Sequence, residues 1–297
     1  MAPLADQQYD EIERIEQPDW LGLMAANSRI AYAAVEGDYT GPDGFLVCGK
    51  CHTPKEGERE FEGVAYRTGM ACRCRAEADG ERRLEEERLK FESRMRSLRR
   101  DGITDPAYLS CTFANDDRRD SAASGKSLKY AENWDEMRRA NCGIMFGGPV
   151  GTGKSFLACA IANALIDRCV PACVTSLPRL LNMLTGYKGD RQEVIDRLGR
   201  YALLVIDDLG AERQSSEFAV EQVFGVIDAR ARSGKPLIVT TNLTAAELTG
   251  PPTVTHKRIY DRVNEMCPVR ILLKGGSRRV ENAEARRAEA MRILEGG

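Results

Sequence analysis

Apolar residues in this chain gather in short unbroken runs, each followed by an amphipathic stretch. Ile144 to Phe146, Val170 to Thr175, Tyr201 to Ile206 and Leu237 to Thr241 are such runs. Their length and content suit strands buried on both faces, as in a parallel sheet. Between them lie Phe156 to Ile166, Leu177 to Leu184 and Glu217 to Arg232. In the last, Phe218, Val220, Val223, Phe224 and Ile227 recur at helical spacing, and Gly234-Lys-Pro236 closes the element. Alternating strand and helix predicts an α/β fold, a parallel sheet flanked by helices on both faces.

Upstream the pattern changes. Glu77 to Arg100 reads as one long charged helix with Leu84, Phe91, Met95 and Leu98 on one face. Acids dominate its first half, and Arg94, Arg96, Arg99 and Arg100 its second. It is either a solvated connector or an arm touching a partner or a phosphate backbone. Asp101-Gly102 and Asp105-Pro106 then mark a break. The predicted organisation is an amino-terminal region over 1–100, a nucleotide-binding domain over 101–280 and a charged helical tail over 281–297.

Composition narrows the class. Of 297 residues 30% are charged, yet the net charge is only −2, so no global basic field marks a strong nucleic-acid binder. The first nineteen residues carry Asp6, Asp10, Glu11, Glu13, Glu16 and Asp19 against the single base Arg14. Such a start lacks the basic and apolar regions of a secretory signal. Apolar runs such as Tyr201 to Ile206 are too short to cross a bilayer. The expectation is a cytoplasmic protein with no membrane partner.

The densest chemistry lies in Gly148-Pro-Val-Gly-Thr-Gly-Lys-Ser155. A strand precedes it and a helix follows, the context of a phosphate-binding loop; a plain glycine turn is the alternative. Gly148, Gly151 and Gly153 would let the backbone, with Pro149, Val150 and Thr152, turn its N–H groups toward a β-phosphate at a helix amino terminus. Lys154 would span the β- and γ-phosphates, and the Ser155 hydroxyl would hold magnesium. About fifty residues on, an apolar strand ends in Asp207-Asp208. Asp207 would hold the magnesium through its waters, and Asp208 would orient or deprotonate the attacking water. Asn242, ending the next strand, offers an uncharged partner for the γ-phosphate or that water, or serves only as a turn residue. Arg258 and Arg262 are four apart, hence on one helix face. Either they pair with Asp261 and Glu265, or one projects into a neighbouring subunit's nucleotide. Arg278 and Arg279 could contact the same subunit's γ-phosphate.

Ten cysteines divide into two kinds. Cys142, Cys159, Cys169, Cys173 and Cys267 read as small hydrophobes in a reducing compartment, and Cys111 is equally unexceptional. Cys48-Gly-Lys-Cys51 and Cys72-Arg-Cys74 instead flank a segment whose Phe61, Val64 and Tyr66 allow one small hairpin. Four thiolates so spaced, over roughly 45–76, suit structural zinc in a zinc-ribbon-like module. A disulfide or redox pair, unligated thiols and an iron–sulfur cluster are the alternatives, and His52 could replace one cysteine.

Taken together, Gly147 to Ser155, Leu203-Leu-Val-Ile-Asp-Asp-Leu-Gly210, Ile238-Val-Thr-Thr-Asn-Leu243 and Arg258-Ile-Tyr-Asp-Arg262 resemble the DnaC-type helicase loaders and IstB-type transposition ATPases of the AAA+ superfamily. The resemblance covers roughly Leu109 to Arg279. It implies an AAA+ ATPase in which Lys154 and Ser155 carry ATP and Mg²⁺, and Asp207 and Asp208 are the paired acids. Asn242 then matches the polar sensor, Arg262 the trans-acting finger with Arg258 beside it, and Arg279 or Arg278 the second sensor. It further implies self-association on ATP, weak binding of single-stranded DNA and a grip on a replicative hexameric helicase. A transposition helper acting on duplex DNA, and an adaptor built on the cysteine module with a vestigial ATPase, are the competing readings.

Overall fold

The computed structural model describes residues 20–295 except 62 and 187–190. The acidic run over 6–19 lies outside the described residues. The described residues form two compact units that divide between Leu89 and Lys90.

In the first unit, helix α1 (Trp20–Ala31) precedes a short antiparallel pair, β1 (Tyr39–Thr40) with β2 (Leu46–Val47). A hairpin follows, β3 (Glu56–Phe61) with β4 (Val64–Gly69). Gly69 is where α1 meets the hairpin: a Cβ there would stand 2.3 Å from the Ser28 carbonyl oxygen. Few apolar side chains are buried here, chiefly Ala25, Val47, Cys48 and Cys72. Polar contacts do much of the holding instead. Lys55 Nζ lies 2.6 Å from Asp38 Oδ2, with only 5% and 2% of the two side chains exposed. The Lys55 ammonium and two backbone N–H groups hold Asp38 down to about 2. Glu56 accepts from Arg67, Arg29 and the Leu46 N–H.

Helix α2 (Arg73–Gly102) begins four residues earlier and ends two later than the charge pattern predicts. Its first turn grows directly from the second cysteine pair, since the Cys72 carbonyl accepts from the N–H groups of Arg75 and Ala76. The two compact units divide along it at Leu89/Lys90. Its last turns therefore group with the larger unit, where Met95 and Leu98 pack on the core.

That unit continues through α3 (Pro106–Leu109), α4 (Ser121–Glu132), α5 (Trp134–Arg139), β5 (Ile144–Gly147) and α6 (Lys154–Ile166). Next come β6 (Ala172–Ser176), α7 (Leu177–Thr185), α8 (Arg191–Arg200), β7 (Leu203–Leu209) and α9 (Glu217–Arg232). The last elements are β8 (Leu237–Thr241), α10 (Ala245–Thr249), α11 (Val254–Met266), β9 (Val269–Leu272) and α12 (Arg278–Glu295). The five strands form one parallel sheet in the order β6-β7-β8-β5-β9. Successive side chains feed opposite faces, as a strand's twofold period requires. Ile144, Phe146, Leu203, Val205 and Ile238 join a core with α4, α5 and α6. Met145, Leu204, Ile206, Leu237 and Val239 join one with α7, α8, α9 and α11. Helix α9 has the bounds its periodicity predicts because Ser216 caps the Ala219 N–H and Gly234, at φ +61°, turns the chain away.

The sheet order matters for chemistry. Strand β8 lies between β5 and β7, so Asn242 emerges between the loop that follows β5 and the acids that end β7. Among the described residues no helix is long and apolar enough to cross a membrane.

Candidate nucleotide site and cysteine cluster

The loop from Gly148 to Gly153 joins β5 to α6, with Lys154 as the first residue of the helix. Gly148 has φ +136°, and a Cβ there would stand 2.3 Å from the Leu273 carbonyl oxygen. Gly151, at φ +83°, would likewise drive a Cβ into the Ser277 hydroxyl. Only glycine meets both the backbone and the space requirement. Lys154 Nζ is buried and donates to the carbonyls of Gly148 (2.8 Å) and Pro149 (2.7 Å). Burial lowers its pKa, against the pull of Asp208 and Asp207. Thr152 Oγ1 donates to the Pro149 carbonyl, fixing the loop from within.

This loop borders a cavity of about 390 Å³, within the range of small-ligand sites. Val150, Gly151, Gly153, Lys154 and Ser155 line one side, and Asp208, Asn242, Arg278 and Arg279 another. Asp207 sits behind them, buried, and accepts from Thr240 Oγ1 (2.6 Å) and the Tyr108 hydroxyl (3.0 Å). The same Thr240 oxygen accepts the Asp208 N–H at 3.0 Å. The β7–β8 register is irregular between Ile206 and Leu209, and Asp208 has φ +62°. That kink presents Asp208 to the cavity while Asp207 stays fixed. Burial, then the Asp207 carboxylate, raises the Asp208 pKa; Lys154, Arg279 and a hydrogen bond with Asn242 oppose this.

The arginines divide. Arg278 pairs with Asp117 at 3.0 Å, and its N–H donates to the Gly151 carbonyl. Arg279 borders the same cavity, with no ion pair among the described residues. Arg258 and Arg262 are not brought to this cavity. On α11, the Arg258 guanidinium lies 3.9 Å from the Phe224 ring centroid, and Arg262 pairs with Asp228 (3.3 Å) and Glu265 (2.8 Å). They edge a separate recess that Phe224 and Asp228 of α9 also line.

Sequence reasoning missed Tyr108 and Thr240, and also Asn115, Asp117 and Arg119 on the cavity wall. Thr240 left a trace, a polar residue ending an otherwise apolar buried strand. Tyr108 left none. It reaches Asp207 because Asn163 of α6 binds the carbonyls of Tyr108 and Cys111 and so fastens α3.

In the first unit the sulfurs of Cys48, Cys51, Cys72 and Cys74 all lie within 4.8 Å of one another. Tetrahedral zinc with bonds of about 2.3 Å sets its sulfurs about 3.8 Å apart. Here Cys48–Cys74 is 3.7 Å and Cys72–Cys74 is 3.4 Å. The N–H groups of Cys51 and Lys50 are directed at the Cys48 sulfur. The Thr53 hydroxyl, with the Cys74 N–H, brings Cys51 down to about 5, while the Cys72 and Cys51 sulfurs push Cys74 up to about 12. Four sulfurs at these separations, with backbone N–H groups directed at them, fit the ion. His52 stands outside the cluster, with Nδ1 3.3 Å from the Tyr39 hydroxyl.

A phosphate-type loop, paired acids ending the strand two places away and a polar residue on the strand between them define an AAA+ P-loop domain. Residues 88–285 match the model of the IstB-like ATP binding proteins, and the chain belongs to that family. Replicative helicase loader DnaC of Escherichia coli strain K12 is 26% identical over 175 residues, 57% of this chain and 68% of that one. A crystal structure of DnaI superposes with a TM-score of 0.50 at 23% identity, covering 59% of this chain and 94% of that one. One of the DnaC helicase loader does so at 0.50 and 20%, covering 57% and 100%. At such identities the structures speak for the shared fold.

Proposed function

We propose that this chain is an ATP-hydrolysing DNA replication protein that loads or recruits a replicative hexameric helicase onto single-stranded DNA, with ATP held at junctions between copies of the chain. The observation that carries this reading is the division of the arginines. One subunit offers the loop, the acids, Asn242 and Arg279 to a single cavity, yet Arg258 and Arg262 point to another face. A neighbouring subunit's nucleotide is the natural target for them. Likeness to a replicative helicase loader supplies the partner class.

In this reading Lys154 would span the β- and γ-phosphates, and Ser155, with Asp207 acting through waters, would hold Mg²⁺, which would offset phosphate charge. Asp208 takes the proton of the attacking water, Asn242 orients that water, and the bond from Pγ to the bridging oxygen breaks to leave ADP. Arg279 reads the γ-phosphate from the same subunit, since Arg278 is engaged with Asp117. Arg262, with Arg258 beside it, offsets charge from across the junction. Residues 101–280 carry this chemistry, 1–100 the partner-binding region and 281–297 the tail. Replication in the reducing cytoplasm also suits a reduced four-thiol site. Pull-down with the host's hexameric helicase should succeed with ATP and fail with ADP; capture indifferent to nucleotide would contradict the reading.

The family model favours one second reading, a transposition helper acting on duplex DNA. Turnover stimulated by duplex but not by single-stranded DNA would select it.

Asp208 gives a prediction in pH. A folded-state pKa above the unfolded value means that the native chain holds this proton longer, so stability falls as pH rises through that value. At neutral pH, Asp208→Asn is expected to raise the melting temperature while lowering turnover about 10²- to 10⁴-fold. Calorimetry and phosphate release check both halves, and a lowered melting temperature would refute the first.

The cysteine cluster is assigned to structural Zn²⁺ held by Cys48, Cys51, Cys72 and Cys74, in a unit too short of apolar core to stand unaided. Metal analysis should find one zinc per chain, lost in Cys48→Ser/Cys51→Ser. Chelation should speed hydrogen exchange across 20–89 while ATP binding persists. Unchanged exchange would exclude the structural role.

A further inference from the structure

Immediately after the acid pair the chain makes a short turn, 211–214, that buries a carboxylate completely. Glu212 is 0% exposed. Its Oε2 accepts the Gly210 N–H at 2.7 Å, and its Oε1 accepts the Tyr260 hydroxyl at 2.9 Å. Tyr260, 1% exposed, belongs to α11. Burial, and the neighbouring carboxylate, raise its pKa, which keeps the hydroxyl a donor.

Both ends of this bond are anchored. On the turn side, Thr241 Oγ1 donates to the Leu209 carbonyl and accepts the Leu243 N–H. Gly210, at φ +113°, passes so close to Leu243 that a Cβ would stand 2.8 Å from its Cγ. The turn is thus fixed to the end of the strand that carries Asn242. On the helix side, the buried His256 ring packs edge-on against Tyr260 with Nδ1 2.8 Å from Thr253 Oγ1, the cap of α11. Tyr260 lies midway between Arg258 and Arg262 in sequence. At 100° per residue it therefore points away from the face the two arginines share. Holding the tyrosine sets the rotation of α11 about its own axis, and with it the direction of both guanidiniums.

We propose that the Glu212–Tyr260 bond is a positioning device that ties the arginine-bearing face of α11 to the turn following the acid pair, so that Arg262 reaches the neighbour's nucleotide in register. The inference rests on the junction reading above. It makes Tyr260 a positioning residue for the adjacent subunit's site and not for its own.

Mixed subunits separate these roles. Arg262→Ala chains keep an intact phosphate loop but lack the finger; Lys154→Ala chains lack the loop lysine but keep the arginines. Mixing the two should restore ATP turnover. Donors carrying Lys154→Ala with Tyr260→Phe should restore about a tenth of that turnover or less, since small misplacement of a transition-state group is expensive. Acceptors carrying Arg262→Ala with Tyr260→Phe, mixed with plain Lys154→Ala donors, should turn over like the Arg262→Ala acceptor. Full restoration by the Tyr260→Phe donor overturns the proposal, and so does loss in both arrangements, which would make Tyr260 a general support of the fold. If plain Lys154→Ala donors restore nothing, the junction reading itself falls, and the tyrosine then has no finger to position.

Discussion

Lys154→Ala is expected to abolish ATP-dependent behaviour while leaving the fold intact. The ammonium is buried at the start of α6 and bonded to two carbonyls of its own loop, from which a bound polyphosphate would draw it. Contacts from a charged group to phosphate contribute roughly 1.5–3 kcal/mol each, so losing those to the β- and γ-phosphates should weaken binding about 100-fold or more. The native chain at about 100 times its dissociation constant for ATP gains about 2.7 kcal/mol of stability, read as a raised melting temperature. The alanine variant should show no such rise. Its melting temperature without nucleotide should not fall, because burial lowers the Lys154 pKa and the charged form is the one that costs stability. Retained stabilisation by Mg²⁺-ATP in the variant would remove the loop from the account.

Arg262→Ala is expected to do the opposite: keep the nucleotide and lose the reaction. Arg262 lies away from its own cavity, so Mg²⁺-ATP should still raise the variant's melting temperature, though by less than in the native chain, where assembly adds to the rise. Turnover should fall about 10³-fold or more, as loss of a trans-acting arginine does elsewhere. The pairs with Asp228 and Glu265 are at the surface, where ion pairs add little, so the fold should not suffer. Native turnover per subunit should rise with protein concentration; in the variant that dependence should vanish. Phosphate release across a dilution series reads both, and normal turnover by the variant at every concentration would refute the trans assignment.

How legible these features were depended on the range of the forces behind them. The sheet was readable because strands buried on both faces must be apolar throughout, and α9 because its apolar residues recur at helical spacing and Gly234 closes it. The phosphate loop was readable because its chemistry demands particular residues at fixed spacing on a continuous stretch of backbone. Side-chain bonds between distant residues leave no such spacing. Tyr108 meets Asp207 across ninety-nine positions, Glu212 meets Tyr260 across forty-eight, and Lys55 meets Asp38 across seventeen. Taken alone, Tyr108, Glu212, Tyr260, Lys55 and Asp38 look like ordinary polar residues. The early start of α2 was hidden for another reason: its first turn is set by the fold of the cysteine pair, with no apolar stripe to announce it. The doubled arginine at 278–279 was ambiguous in sequence because either residue reaches the cavity, and the Asp117 pair that distinguishes them comes from a distant loop.

The central claim is that the γ-phosphate joins neighbouring copies through Lys154 on one and Arg262 on the next. Particle mass in solution, measured with Mg²⁺ and either a non-hydrolysable ATP analogue or ADP, tests it most directly. The account predicts oligomers with the analogue, their return to the apo mass with ADP, and no such growth in Arg262→Ala. A particle of the same mass under both nucleotides would contradict it.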